Sequence, residues 1–292
     1  MGQLQSIVHR RSRSLQPESF PDLSNFPPEV AVCVLSHLNA TDLCLAACVW
    51  KHLADNELLW QSLSKATWGY ASAYHRKRQG KISFKELYML LDEGTCLFNF
   101  DPHQGIIYLV RHNVLEDSVL EIAKFINCTG ALYGKSVREY LNTRRDVLQE
   151  IVNMQNYKGM FLPVALRQFF ERVYPPEQRG EFLDTLLNKF SIRFCDTNPS
   201  ASFTPESVFI LCHSLILLSV DLSSPHVKNK MSKREFVKNL RGLIQGPGTT
   251  EYLGDLYDNV YLEGHIALRA EKCKQKTAFP FERPYGKIFL HM

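Results

Sequence analysis

At 292 residues, 45% hydrophobic and 22% charged, the chain has the balance of a soluble globular protein and is long enough for one large domain and one small one. A net charge of +4 is too mild for wrapping nucleic acid through phosphate neutralisation, so no nucleic-acid partner is expected. The eight cysteines show no CxxC and no His/Cys spacing of the zinc kind, which argues for a reduced, cytoplasmic protein without a metal site.

In chain order, residues 1–22 lack apolar periodicity and read as a disordered basic tail. Its start, Met1-Gly2-Gln3-Leu4-Gln5-Ser6, fits the M-G-x-x-x-[ST] pattern, and Arg10, Arg11 and Arg13 follow. Myristate on Gly2 plus this basic stretch would supply the two weak signals that peripheral membrane contact needs; the plain alternative is a chance Met-Gly start on a solvated arm.

Residues 23–69 form a compact apolar block. Pro27 and Pro28 suit the first turn of a helix carrying Val30, Val34, Leu35 and Leu38. Asn39 or Thr41 can cap a second helix, with Asp42 at its positive end and Leu43, Ala46, Ala47 and Trp50 on its stripe. Leu58, Leu59 and Leu63 mark a third. A core of about 45 residues is marginal by itself, so part of this apolar surface is expected to belong to a partner.

Residues 70–96 read as a basic, then mixed connector with one helix over Ser83 to Leu91. Residues 97–268 then run through about ten helices without an alternating strand pattern. Asp117-Ser118, Leu162-Pro163, Thr204-Pro205-Glu206 and the capping box Ser232-Lys-Arg-Glu235 mark starts, and Gly246-Pro247-Gly248 is expected to end a helix. The run Val208–Val220 is shorter than the roughly 20 residues a membrane span needs and reads as a buried core helix. Residues 269–292 form a C-terminal tail that suggests no function.

No GxxxxGK[ST], GxGxxG, HExxH or GxSxG is present, so no phosphate loop, common nucleophile or cofactor is expected. The ten histidines do not cluster at ligand spacing. His213, on the apolar run, reads as a satisfied core imidazole rather than a metal ligand.

Two resemblances accompany this reading. Phe26-Pro27-Pro28-Glu29, Leu35-Ser-His-Leu38, Asp42-Leu43, Cys48-Val49-Trp50 and Leu58-Leu59-Trp60 stand in the order of the F-box, with Phe in place of the Leu that usually precedes the prolines. That resemblance implies docking on the Skp adaptor of a cullin-RING ubiquitin ligase through Pro27, Pro28, Leu35, Leu38, Leu43, Val49 and Leu59. From about Phe98 to Ile266 the segments "FDPHQGIIYLV", "EIAKFI", "ALRQFF", "RFCDTNP", "SLILLSVDLSSPHVKNKMSKREFVKNLRG" and "LYDNVY" resemble the Sec7 domain. This is an all-α right-handed helical array that exchanges nucleotide on ARF-family GTPases.

The Sec7 resemblance implies an apolar groove for the GTPase switch regions and a glutamate at a loop tip that enters the nucleotide site. Like charges about 4 Å apart at an effective dielectric near 20 repel by roughly 4 kcal/mol, enough to change nucleotide affinity by orders of magnitude. The loop here is Tyr174-Pro-Pro-Glu-Gln-Arg-Gly180 where the family usually has Leu-Pro-Gly-Glu-Ala. Counting forward from Ala165-Leu-Arg-Gln-Phe169 puts Gln178 at the finger, and counting back from Leu183-Asp184 puts Arg179 there. Glu177 takes the place only if a glycine has been lost. Ser219 replaces a supporting asparagine, while Asp221, Leu222, Pro225, Val227, Met231 and Phe236 fall on groove positions. Lys228, Lys230, Lys233, Arg234, Lys238 and Arg241 make a basic run that suits a solvated face, or contact with an anionic membrane or the GTPase. The resemblances together imply a ligase adaptor that captures an ARF-family GTPase; the rival reading is an exchange factor whose F-box sets its own turnover or location.

Overall fold

The computed structural model describes residues 22–69, 82–176, 180–200, 203–243 and 248–267. Among these the protein is all-α, with fourteen α-helices and no strand. The chain divides into two units, Met1–Leu63 and Ser64–Met292. Residues 1–21 of the expected N-terminal tail with Gly2, the C-terminal tail 269–292, residues 70–81 of the connector, and the finger candidates Glu177, Gln178 and Arg179 lie outside the described residues, whereas Asp22, expected in the tail, is part of the first unit.

In the first unit a 3-10 turn, Leu23–Asn25, leads into α1 (Pro28–Leu35), α2 (Ala40–Ala46), α3 (Lys51–Ala54) and the start of α4 (Glu57–Trp68). Pro27 caps α1 and Pro28 opens it, because a first-turn N–H has no helical partner to lose. Of the two expected caps for α2, Asn39 is the one used, its side chain accepting from Asp42 N at 2.9 Å. The unit has one helix more than expected. Trp50 leaves the α2 stripe, caps α3, and donates its indole N–H to Asp22 at 2.6 Å, pinning the segment ahead of α1. Leu35, Leu43, Leu53, Leu59 and Trp60 form the core of this unit, and Trp60 Nε1 donates to Ala54 O.

The second unit carries ten helices of its own: α5 (Phe84–Phe100), α6 (Pro102–Arg111), α7 (Val119–Cys128), α8 (Gly134–Thr143), α9 (Arg145–Asn153), α10 (Leu162–Val173), α11 (Glu181–Thr197), α12 (Pro205–Ser223), α13 (Lys233–Leu240) and α14 (Thr249–Glu263). The helix expected over 83–91 starts at its Ser83–Glu86 capping box but runs on to Phe100, so a boundary at residue 97 would cut it. Gly94 does not break it. A Cβ there would lie 2.4 Å from Leu109, so the glycine lets α6 approach. Thr95 accepts from Trp68 Nε1 at 3.1 Å, joining α5 to the end of α4. Gly248, expected beyond a helix end, caps the start of α14 with φ 81°.

The core of this unit is an aromatic chain. Phe169 of α10 lies 5.2 Å from Phe190 of α11, which meets Phe194 at 5.7 Å and Tyr157 at 5.1 Å. Asn198 closes α11, donating to Tyr157 O and Phe194 O and accepting from Gly159 N. Arg167 of α10 holds the end of α14 by donating to Asn259 Oδ1 at 2.6 Å, Gly264 O at 3.1 Å and His265 O at 3.3 Å. These contacts set α10, α11, α12 and α14 side by side, with α13 against α14.

Candidate functional site

The second unit offers its site along α11, α12 and the turn after α12. Thr204 and Ser207 close a capping box around Pro205 at the start of α12, so three start signals agree on one residue. The helix is apolar nearly all round. Val208, Leu211, Cys212, Leu215, Ile216 and Leu218 enter the core, while Ile210, Leu217 and Val220 face outward. The expected core helix therefore has a free apolar face, which inward periodicity alone does not reveal. α11 adds exposed Ile192, which with Phe209 lines a cleft of about 440 Å³ between α9, α11 and α12.

His213 is only half-buried rather than a core imidazole. Its Nε2 lies 3.2 Å from Asp184 Oδ1, tying α12 to α11, and its ring meets Phe209 edge-on at 4.7 Å.

After α12 the chain is locked at both ends of a tight turn. Asp221 accepts from Met231 N at 2.8 Å, and Tyr257 OH donates to Met231 O at 3.0 Å. The Lys230 ammonium donates to Leu222 O and to Ser224 O, capping the negative end of α12 with a cation. Leu222, Val227 and Met231 stay half-buried and Pro225 is exposed. Phe236 lies in the core against Tyr257, so it supports this wall from behind.

Ser219 is 2% exposed, and its hydroxyl donates to Ile216 O at 2.9 Å inside its own helix. The group is spent locally. It cannot span the pair of hydrogen bonds that an amide would offer at a groove wall.

The loop before α11 is described at its root. Tyr174 ends α10 with φ 52°, a conformation that non-glycine residues rarely adopt. Its ring lies over Gly134 so closely that a Cβ there would meet Cδ1 at 2.5 Å, and Arg138 donates to Pro175 O at 3.1 Å. α8 thus holds the point where the loop leaves α10.

Among the described residues no group of three His, Cys, Asp or Glu could hold a metal. Burial pushes the Cys195 and Cys212 thiols up, the latter well above its ordinary value, so neither offers a thiolate at neutral pH.

A family model for the Sec7 domain matches residues 88–264, and one for an F-box-like domain matches 23–66. The chain belongs to the Sec7 domain family. It is an F-box and Sec7 protein, 52% identical over 259 residues to F-box only protein 8 of Mus musculus, covering 87% of this chain and 81% of that one. Among solved structures, the Sec7p catalytic domain superposes at TM-score 0.54 with 30% identity over 60% of this chain and 97% of that one. The structure of ARF1-GDP bound to a Sec7 domain with Brefeldin A gives TM-score 0.56 at 22% identity, over 69% of this chain and 99% of that one, a likeness of fold.

The F-box residues separate into two sets. Leu35, Leu43 and Leu59 are 1–3% exposed and hold the module together; Leu38 is half-buried; Pro27, Pro28 and Val49 are exposed. Phe26, Val30, Val34, Leu45, Val49 and Leu58, 41–72% exposed, make up the accessible apolar surface. Val30, Val34 and Leu58 share stripes with core leucines, and a stripe does not say which of its members the core has room for.

Proposed function

We propose that this protein is an interaction subunit whose F-box recruits the Skp adaptor of a cullin-RING ubiquitin ligase and whose Sec7 domain captures an ARF-family GTPase, ubiquitin transfer being done by other subunits. The observation that carries the reading is the contrast along α12. Ile210, Leu217 and Val220 keep an apolar face open to a partner, while Ser219 has its hydroxyl turned back on Ile216 O. Capture needs the face; ejecting nucleotide needs charge and amide groups aimed at phosphate and magnesium. An arginine at the loop tip would attract phosphate and oppose release.

The second reading, an ARF guanine-nucleotide exchange factor with a non-standard finger at Glu177, is favoured by the 30% identity to a domain described as catalytic. Release of a fluorescent GDP analogue from purified ARF separates the two, measured with the wild-type chain, Glu177→Lys and Arg179→Glu. The adaptor reading expects the wild type to bind ARF without accelerating release. Acceleration by the wild type that Glu177→Lys abolishes would establish exchange instead.

A further inference from the structure

We propose that the outward face of α13 is a contact surface for an anionic membrane leaflet, a reading that stands whether or not the neighbouring apolar face takes a GTPase. Arg234, Lys238 and Arg241 fall at i, i+4 and i+7, which places them on one stripe, and all three are exposed. Like charges at this spacing destabilise a helix, and α13 has only eight residues over which to absorb that cost.

Nearby cations of the same unit are engaged within the protein. Lys230 caps the carbonyls that end α12, and Lys233 pairs with Asp258 at 2.5 Å. Between Arg234 and Arg241 the one acid is Glu235, whose carboxylate keeps its charge but is turned back on Ser232 N at 2.9 Å and Ser232 Oγ at 2.7 Å, and Asp221 accepts from Met231 N, so cations outnumber acids on this stretch. The stripe is thus left positive, with exposed Lys228 adding to it from the preceding turn.

The composition of the face selects the partner. Phe236 and Leu240 are buried and Val237 is half-buried, so between Lys233 and Arg241 no large apolar side chain is exposed. The centre of a protein interface wants aromatic or aliphatic anchors and is poor in lysine. A plane of phosphate headgroups wants charge alone. Each cation brought to an anionic leaflet raises partition by roughly fivefold, so three give about a hundredfold. That is a useful second signal beside a single acyl chain, which binds only marginally. Because α13 follows directly on the turn that bounds the α12 face, leaflet contact would hold that face at the membrane surface.

The test is co-sedimentation of the full chain with phosphatidylcholine vesicles, with and without about 30 mol% phosphatidylserine. The variants are Arg234→Gln/Lys238→Gln/Arg241→Gln and, for the other basic stretch, Arg10→Gln/Arg11→Gln/Arg13→Gln. The stripe variant should lose about a hundredfold in partition onto anionic vesicles, and the wild type should lose as much when salt rises from about 0.1 to 0.5 M. The salt arm gives the result without any substitution. The arginine-arm variant should keep the stripe's contribution. Equal pelleting of wild type with neutral vesicles, or of the stripe variant with anionic ones, overturns the proposal. So does a stripe variant that keeps vesicle binding but loses capture of an ARF-family GTPase, which would assign the face to a protein.

Discussion

Tyr174 shows how one side chain can fix the point where a loop leaves its helix. Its positive φ costs about 1–3 kcal/mol, and packing of its half-buried ring over Gly134 offsets that strain. Gly134→Ala would place a Cβ 2.5 Å from the ring, so we expect a loss of about 1–3 kcal/mol in urea unfolding. In a Tyr174→Gly background the same alanine has nothing to meet and should cost little. Equal costs in the two backgrounds would show that the ring and the glycine are not coupled. None of this is legible in the sequence, because a positive φ is signalled by Gly or Asn and the chain has tyrosine there. Ser219 is of the same kind: the turning of its hydroxyl onto Ile216 O depends on the burial of that face, which the residues alone do not show.

At the scale of elements, starts were more legible than ends. Thr204 and Ser232 cap the helices that their spacing announces, and Asn39 and Ser118 are each one of two candidates the sequence offers, since a cap is a local hydrogen bond. Gly94 marks the opposite case, where a residue that locally weakens a helix is there for a contact with α6. Gly94→Ala sets two magnitudes against each other. The helix gains about 1 kcal/mol in propensity, whereas a Cβ 2.4 Å from buried Leu109 costs about 1–3 kcal/mol of overpacking. Overpacking should win, lowering the thermal midpoint, and Leu109→Ala in addition should make the alanine tolerable. A Gly94→Ala chain that melts higher than wild type would mean that α6 yields freely. The split of α12 into a buried and an open face belongs to the same lesson, because a helix apolar all round gives periodicity nothing to distinguish.

For the whole molecule, the two units were legible as an order of motifs, and the sequence also supplied their fold class. Which apolar residues face outward was not, since that depends on which neighbours fill the core. The distinction matters for testing the adaptor reading, because Leu43→Asp would unfold the small unit and abolish binding for a trivial reason. Val34→Asp and Leu217→Asp instead alter exposed positions, where a charge stays solvated and stability should change by less than about 1 kcal/mol. In a reconstituted cullin-RING ligase with Skp adaptor and ARF-family GTPase, the adaptor reading expects ubiquitin on the GTPase with the wild-type chain. Val34→Asp should stop all transfer by releasing the ligase. Leu217→Asp should spare ligase capture yet stop modification of the GTPase. If ubiquitin instead accumulates on the chain itself and Leu217→Asp leaves that pattern unchanged, the F-box serves this protein's own turnover, and the α12 face answers to a different task.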